Sequence, residues 1–178
     1  MPKKRPDLAL LLHPARIRIV RSFSGGTAST TSEVCARLPD ISQASVYRHV
    51  TLLADAGVLE VVDERLVRGA VERRYRLNVA RARIGEDDAA SMTIDDHRSA
   101  FTAAIAALLA DFGAYLDGGT ADPSKDRVGY RQIPLWLSDE EHQQLMEHFQ
   151  RLVSPMLAHR PGAGRRQYLV SPIIFPIR

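Results

Sequence analysis

The residues of this 178-residue chain best suited to specific polar recognition lie in one run, Ile41-Ser-Gln-Ala-Ser-Val-Tyr-Arg-His-Val-Thr-Leu-Leu-Ala-Asp-Ala-Gly57. The run predicts a helix that starts at Ser42, a good N-cap, and stops at Gly57, which can take the left-handed cap conformation. Val46, Val50, Leu53 and Leu52 or Ala56 recur at helical spacing and make one apolar face. The other face carries Gln43, Ala44, Ser45, Tyr47, Arg48 and Thr51, a short, hydrogen-bonding and nearly uncharged set with one basic residue in its middle. An ordinary solvated face would be richer in Glu and Lys. Amide, hydroxyl and guanidinium groups in this mixture suit the edges of bases in a major groove.

Other chemistries find little support. No nucleophile elbow, phosphate loop or paired-carboxylate spacing occurs, so an enzyme is not expected. Cys35 is the single cysteine, which excludes an intramolecular disulfide and fits a reducing cytoplasm. Set among Val34 and Leu38, it reads as a small core residue. His142 and His148 stand six apart on a predicted helix and point to different faces, so they make no metal pair, and no cofactor is expected. No apolar run approaches the length of a membrane span and no signal-peptide pattern opens the chain. The expected location is therefore cytoplasmic. Hydrophobic content of 45% and charged content of 25% are those of a globular chain able to bury a sizeable core.

Several elements must hold the polar helix in place. Pro2-Lys-Lys-Arg-Pro6 is a basic N-terminal arm, a solvated end that could graze a phosphate, and Leu8–Leu12 a short apolar helical segment. Pro14 suits the first turn of a helix whose apolar side is Ile17, Ile19, Val20 and Phe23, ended by Gly25-Gly26. Thr30-Thr-Ser-Glu33 is a capping box that opens a short helix, Ser32–Leu38, and Pro39-Asp40 turns the chain into the polar helix. Helix, helix, tight turn and polar-faced helix make a helix-turn-helix. Val58–Val62 and Val71–Leu77 then read as two strands joined by a charged connection, Asp63–Ala70, with its tip at Arg68-Gly69. A hairpin behind a helix-turn-helix is a wing. Arg65, Arg68, Arg73, Arg74 and Arg76 lie on it, and contact with DNA phosphates is the expected use, with Arg68 reaching a minor groove. Charge divides the same way: residues 1–83 hold 15 Lys+Arg against 8 Asp+Glu, and residues 84–178 hold 9 against 13. The split leads to the expectation that one half faces a polyanion and the other does not.

His13-Pro-Ala-Arg-Ile17, Ile41–Val50, Leu53 with Ala56-Gly-Val-Leu59, and the wing ending in Tyr75-Arg-Leu77 resemble the ArsR-type winged helix-turn-helix of bacterial transcription regulators, over roughly residues 8–80. The resemblance implies a homodimer that binds an imperfect palindrome in double-stranded DNA, near the bacterial nucleoid. Carried over residue by residue, it makes Ser42, Gln43, Ser45, Tyr47, Arg48 and His49 the base- or phosphate-facing candidates; His49 could equally be a half-buried structural histidine. Metal-sensing members of that family use a cysteine-rich helix or an Asp-x-His…His-x-x-Glu helix. Asp95-Asp-His97 matches the first half of the second pattern, but its partner positions are Leu108 and Asp111. Half a site holds too few ligands for tetrahedral zinc.

In the second half, Ser91–Gly118 predicts one long helix, apolar nearly all round and so buried on more than one side. The dimer interface is assigned to it, with a monomeric core helix as the other reading. Val128–Leu137 and Gln167–Ile177 alternate as strands do, and between them Ser138-Asp-Glu-Glu141 caps an amphipathic helix that Pro155 ends or kinks. Tyr130, Trp136, Phe149 and Tyr168 there are plain core or the lining of a pocket for a small-molecule effector. The expected fold is mainly α (α+β): a winged helix-turn-helix in residues 1–83, then a dimerisation helix and small α/β appendage in 84–178. The expected function is that of a dimeric sequence-specific DNA-binding regulator, a repressor, with helix 42–56 in the major groove and wing 59–77 on the backbone and minor groove. The alternative is a winged-helix protein-interaction module that never touches DNA.

Overall fold

The computed structural model describes residues 8–67, 69–82, 89–162 and 164–177. The basic arm and Arg68 lie outside the described residues. By packing, the chain divides into two compact units, residues 1–130 and 131–178.

In the first unit, α1 spans Leu8–Leu11 and α2 spans Pro14–Ser22. His13 caps α2, its Nδ1 accepting the Ala15 backbone N–H at 3.2 Å, while Pro14 fills the first turn, where an N–H would have had no partner. A two-residue strand, β1 (Ser29–Thr30), leads into α3 (Thr31–Arg37), which is opened by the expected capping box between Thr30 and Glu33. The polar helix is α4, Gln43–Asp55, capped by the Ser42 hydroxyl at the Ser45 N–H. Gly57 sits at φ 72°, a conformation that favours glycine, and the chain turns there into the wing. Ile19, Phe23, Val34, Val46, Val50, Leu53, Val58, Leu59 and Tyr75 form one buried core beneath these elements.

The wing strands are β2 (Leu59–Val67) and β3 (Ala70–Leu77), paired antiparallel from Leu59↔Leu77 to Val67↔Ala70 with an irregularity between Val61 and Asp63. β1 pairs with the other edge of β3, so the sheet order is β1-β3-β2. The wing is longer than its apolar residues indicated. Asp63–Val67, expected as part of a connection, is strand, because Glu64 and Arg65 stand opposite Arg73 and Glu72 as complementary cross-strand pairs.

After α5 (Val79–Ala82), the long helix α6 runs Ile94–Asp117, opened by a capping box between Thr93 and Asp96. It packs against α2, burying Ala103 and Ala107. Tyr115 donates to Asp126 at 2.8 Å, and Tyr130 stands edge-on to Phe112 with ring centroids 5.9 Å apart. These contacts fold the following loop back, so packing divides the chain after Tyr130 whereas charge divides it after residue 83. By length and composition alone α6 is apolar enough to cross a membrane, which the reading of the sequence did not anticipate. Asp111 in its interior is nevertheless ion-paired to two arginines of α2.

The second unit holds α7 (Asp139–Val153), capped by Ser138 and Glu141, and a short 3₁₀ turn, Ser154–Ala158, that includes Pro155. The fold is thus α+β, with its sheet in the wing. The strands expected at 128–137 and 167–177 are not formed: no ladder includes these segments among the described residues. Pro134, Pro172 and Pro176 each remove a donor from such a ladder. Nor do Trp136 and Tyr168 fill a core within one chain, since both are exposed, and Phe149 is only half-buried.

Candidate nucleic-acid interface

On α4, side-chain direction divides the predicted site into two groups. Ser42, Gln43, Ala44, Tyr47, Arg48 and Thr51 are exposed, and Ser45 is half-buried with its hydroxyl accepting from Ser42 at 2.9 Å. Gln43, Tyr47 and Thr51 are spaced four apart, as are Ala44 and Arg48, so these positions form one continuous outer face. Arg48 makes no hydrogen bond or ion pair among the described residues.

His49 belongs to the other group. It is buried at 3% exposure, and its ring stacks at a tilt on His13 with centroids 4.8 Å apart. Its helical spacing from Val46, Val50 and Leu53 turns it inward, so it does not face a base or phosphate. Its Nδ1 is buried without a hydrogen-bond partner among the described residues. Burial, reinforced by His13, Arg16 and Arg48, lowers its pKa to about 4.

Arg16 joins the site from α2. Burial and the neighbouring Arg48 guanidinium both push its pKa down, so two cations share one patch beside the outer face of α4. That concentration of positive potential favours an anion. Arg16 was not among the residues that patterning singled out, although it stands inside the His13-Pro-Ala-Arg motif; motif membership was the available signal.

The wing is less available than its arginines suggested. Arg65 pairs with Asp63 at 2.8 Å, Arg73 with Glu64 at 2.7 Å and Arg76 with Glu60 at 3.9 Å. Arg74 donates to the Ala28 carbonyl at 2.6 Å and lies 3.5 Å from Glu33, tying β3 to the loop before α3. Arg74 is thereby engaged with its own domain. Arg65 and Arg73 remain exposed, and such surface pairs are weak enough to exchange a carboxylate for a phosphate.

The polar helix is fixed from behind by an ion cluster centred on the buried Arg18. Arg18 is 5% exposed and donates to both Asp40 oxygens, reaching Oδ1 at 3.0 Å, and to Asp111 through Nε at 2.5 Å. Arg21 adds a 2.8 Å bond to Asp111. Asp40 lies in the turn just before α4, and Asp111 on α6. One guanidinium thus joins the turn of the helix-turn-helix to the long helix. Hydrogen bonding from Arg18 holds the Asp40 carboxyl below its ordinary pKa.

Residues 11–62 match a family model described as a helix-turn-helix domain. The matched span covers α2, α3, α4 and the start of the wing, the elements that build the outer face described above. The chain therefore carries a helix-turn-helix domain of the kind found in DNA-binding transcription regulators. No curated protein matches the chain.

Proposed function

We propose that the chain is a homodimeric, ArsR-like repressor that reads a palindromic operator with α4 in the major groove. The observation that carries this reading is the exposed face of α4, with Gln43, Tyr47 and Arg48 outward and Arg16 adding charge beside it. Gln43, Ser45, Tyr47 and Arg48 would meet bases, with Ser42 and Thr51 at the margins, while Arg65 and Arg73 would meet phosphates. Repression follows from occupying a promoter, and the place of action is the bacterial nucleoid. No catalytic step and no membrane enters this reading.

The second copy is supported by α6. Ile94, Phe101, Leu109 and Leu116 are all exposed and fall within one arc of the helix, opposite the buried Ala103 and Ala107. A helix that buries its small residues on its own domain and presents its large ones outward is suited to an isologous contact. Two recognition helices so related would meet half-sites about one helical turn apart.

Replacing Arg48 with alanine is expected to weaken cognate operator binding by about 1–3 kcal/mol while leaving non-specific duplex binding nearly unchanged. Competition titrations with cognate and scrambled duplexes measure both, and an equal loss on the two would reduce Arg48 to a phosphate contact. Wild-type affinity should also fall steeply and linearly in log–log form as salt rises. Absent or salt-independent duplex binding would instead favour a protein-interaction module.

A further inference from the structure

His13 uses one ring nitrogen inside the fold, and that use fixes the chemistry of the other. Its Nδ1 accepts the Ala15 backbone N–H at 3.2 Å, which caps α2. A backbone N–H only donates, so Nδ1 holds a lone pair and the hydrogen of the neutral ring sits on Nε2. That Nε2–H has no partner among the described residues. The ring is held twice over, by the cap bond and by His49 of α4, whose ring stacks on it at a tilt with centroids 4.8 Å apart. His49 is itself 3% exposed, so the backing is firm. A donor with its tautomer and ring plane already set binds an outside acceptor without first losing that freedom.

The surroundings indicate which acceptor. Arg16 stands about one turn along α2 from His13, and Arg48 adjoins His49 on α4. Burial, then Arg16 and Arg48, hold the His13 pKa below its ordinary value, so the ring is neutral at pH 7 and donates without carrying charge. No carboxylate bonds to His13, His49 or Arg48 among the described residues. Cations gathered around a donor in this way favour an anion. The outer face of α4 that carries Arg48 is the one assigned to DNA, and the anions beside any base are backbone phosphates. We infer that the His13 Nε2–H is a neutral hydrogen-bond donor to a backbone phosphate of bound DNA, with Arg16 and Arg48 supplying the charge that holds that phosphate. This rests on the DNA-binding reading above and adds to it a contact made from α2, outside the recognition helix.

Asparagine is among the best helix N-caps, so His13→Asn should keep α2 while removing the Nε2 donor. The full-length protein would be titrated with a labelled mixed-sequence duplex across a salt series, with circular dichroism to verify folding. His13→Asn is expected to weaken binding roughly tenfold per bound chain at fixed salt. The slope of log affinity against log salt should stay that of the wild type, because a neutral donor releases no counterion. Arg16→Gln, by contrast, should lower that slope by about one per bound chain. Unchanged affinity in a folded His13→Asn variant would overturn the inference, as would a reduced slope there or an unreduced one in Arg16→Gln. Should His13→Asn fail to fold, nitrogen-15 spectra of the wild-type imidazoles decide. Solvent exchange of the His13 Nε2 hydrogen should slow when duplex is added, with Nδ1 still unprotonated. A His13 ring that duplex leaves unaltered, or turns into an imidazolium, overturns the inference. A wild type that binds no duplex defeats the proposed function and this contact together, whereas a wild type that binds beside an equally tight His13→Asn defeats this contact alone.

Discussion

Replacing Arg18 with alanine is expected to destabilise the protein by about 3 kcal/mol, one of the largest effects of any single change in the helix-turn-helix. The guanidinium is buried and satisfies two carboxylates on different elements, Asp40 before α4 and Asp111 on α6. Its removal leaves both acids without their main partner and opens a void between α2, the turn and α6. The lower end of the usual range for broken buried pairs applies because Asp40 is 40% exposed and Asp111 24%, so water can recover part of the loss. Arg21 also stays on Asp111. Asp111→Asn should cost less, since Arg18 keeps Asp40 and Arg21 can still donate to the amide oxygen. The two variants separate in urea unfolding, and an Arg18→Ala midpoint within error of the wild type would remove the cluster from any structural role. Operator affinity supplies a second reading. If the cluster fixes α4 relative to the long helix, Arg18→Ala should weaken specific binding under conditions where the variant remains folded.

That cluster also shows where the sequence stops being legible. Thr30-Thr-Ser-Glu33, Ser42, Gly57 and Thr93 announce their caps locally, because a cap needs only residues within one turn of it. The core face of α4 and the outer face opposite it follow from helical period, which is why the outward placement of Gln43, Tyr47 and Arg48 is legible. Arg18 gave no such signal: its partners lie 22 and 93 residues away, and a lone arginine between Ile17 and Ile19 reads as surface charge. The wing misled for a related reason. Its arginines were counted without the carboxylates that face them across the ladder, and pairing Arg73 with Glu64 depends on register, which alternation alone does not fix. The unformed strands of residues 131–178 are a third case. Their alternation is real, but a strand exists only in a ladder, and no ladder includes them among the described residues.

The remaining large effect concerns pH and arises at His49. Its folded pKa of about 4 lies below the ordinary 6.5 because burial, His13, Arg16 and Arg48 all disfavour the charged ring. The unfolded chain therefore binds the proton that the folded chain refuses between pH 6.5 and 4. Stability from this group is fully present above pH 6.5 and is lost progressively as pH falls to 4. The loss over that window is roughly 3 kcal/mol. His49→Leu, close in volume and unable to titrate, should flatten the stability profile between pH 4 and 6.5, whatever its stability at neutral pH. Because the uncharged replacement also removes a buried nitrogen that has no partner among the described residues, neutral-pH stability should change little. A variant profile as steep as the wild type's would mean that other groups carry the acid sensitivity. His49 lies on the inner side of the same helix turn that presents Arg48 outward, so protonating it forces a charge against His13 and Arg16.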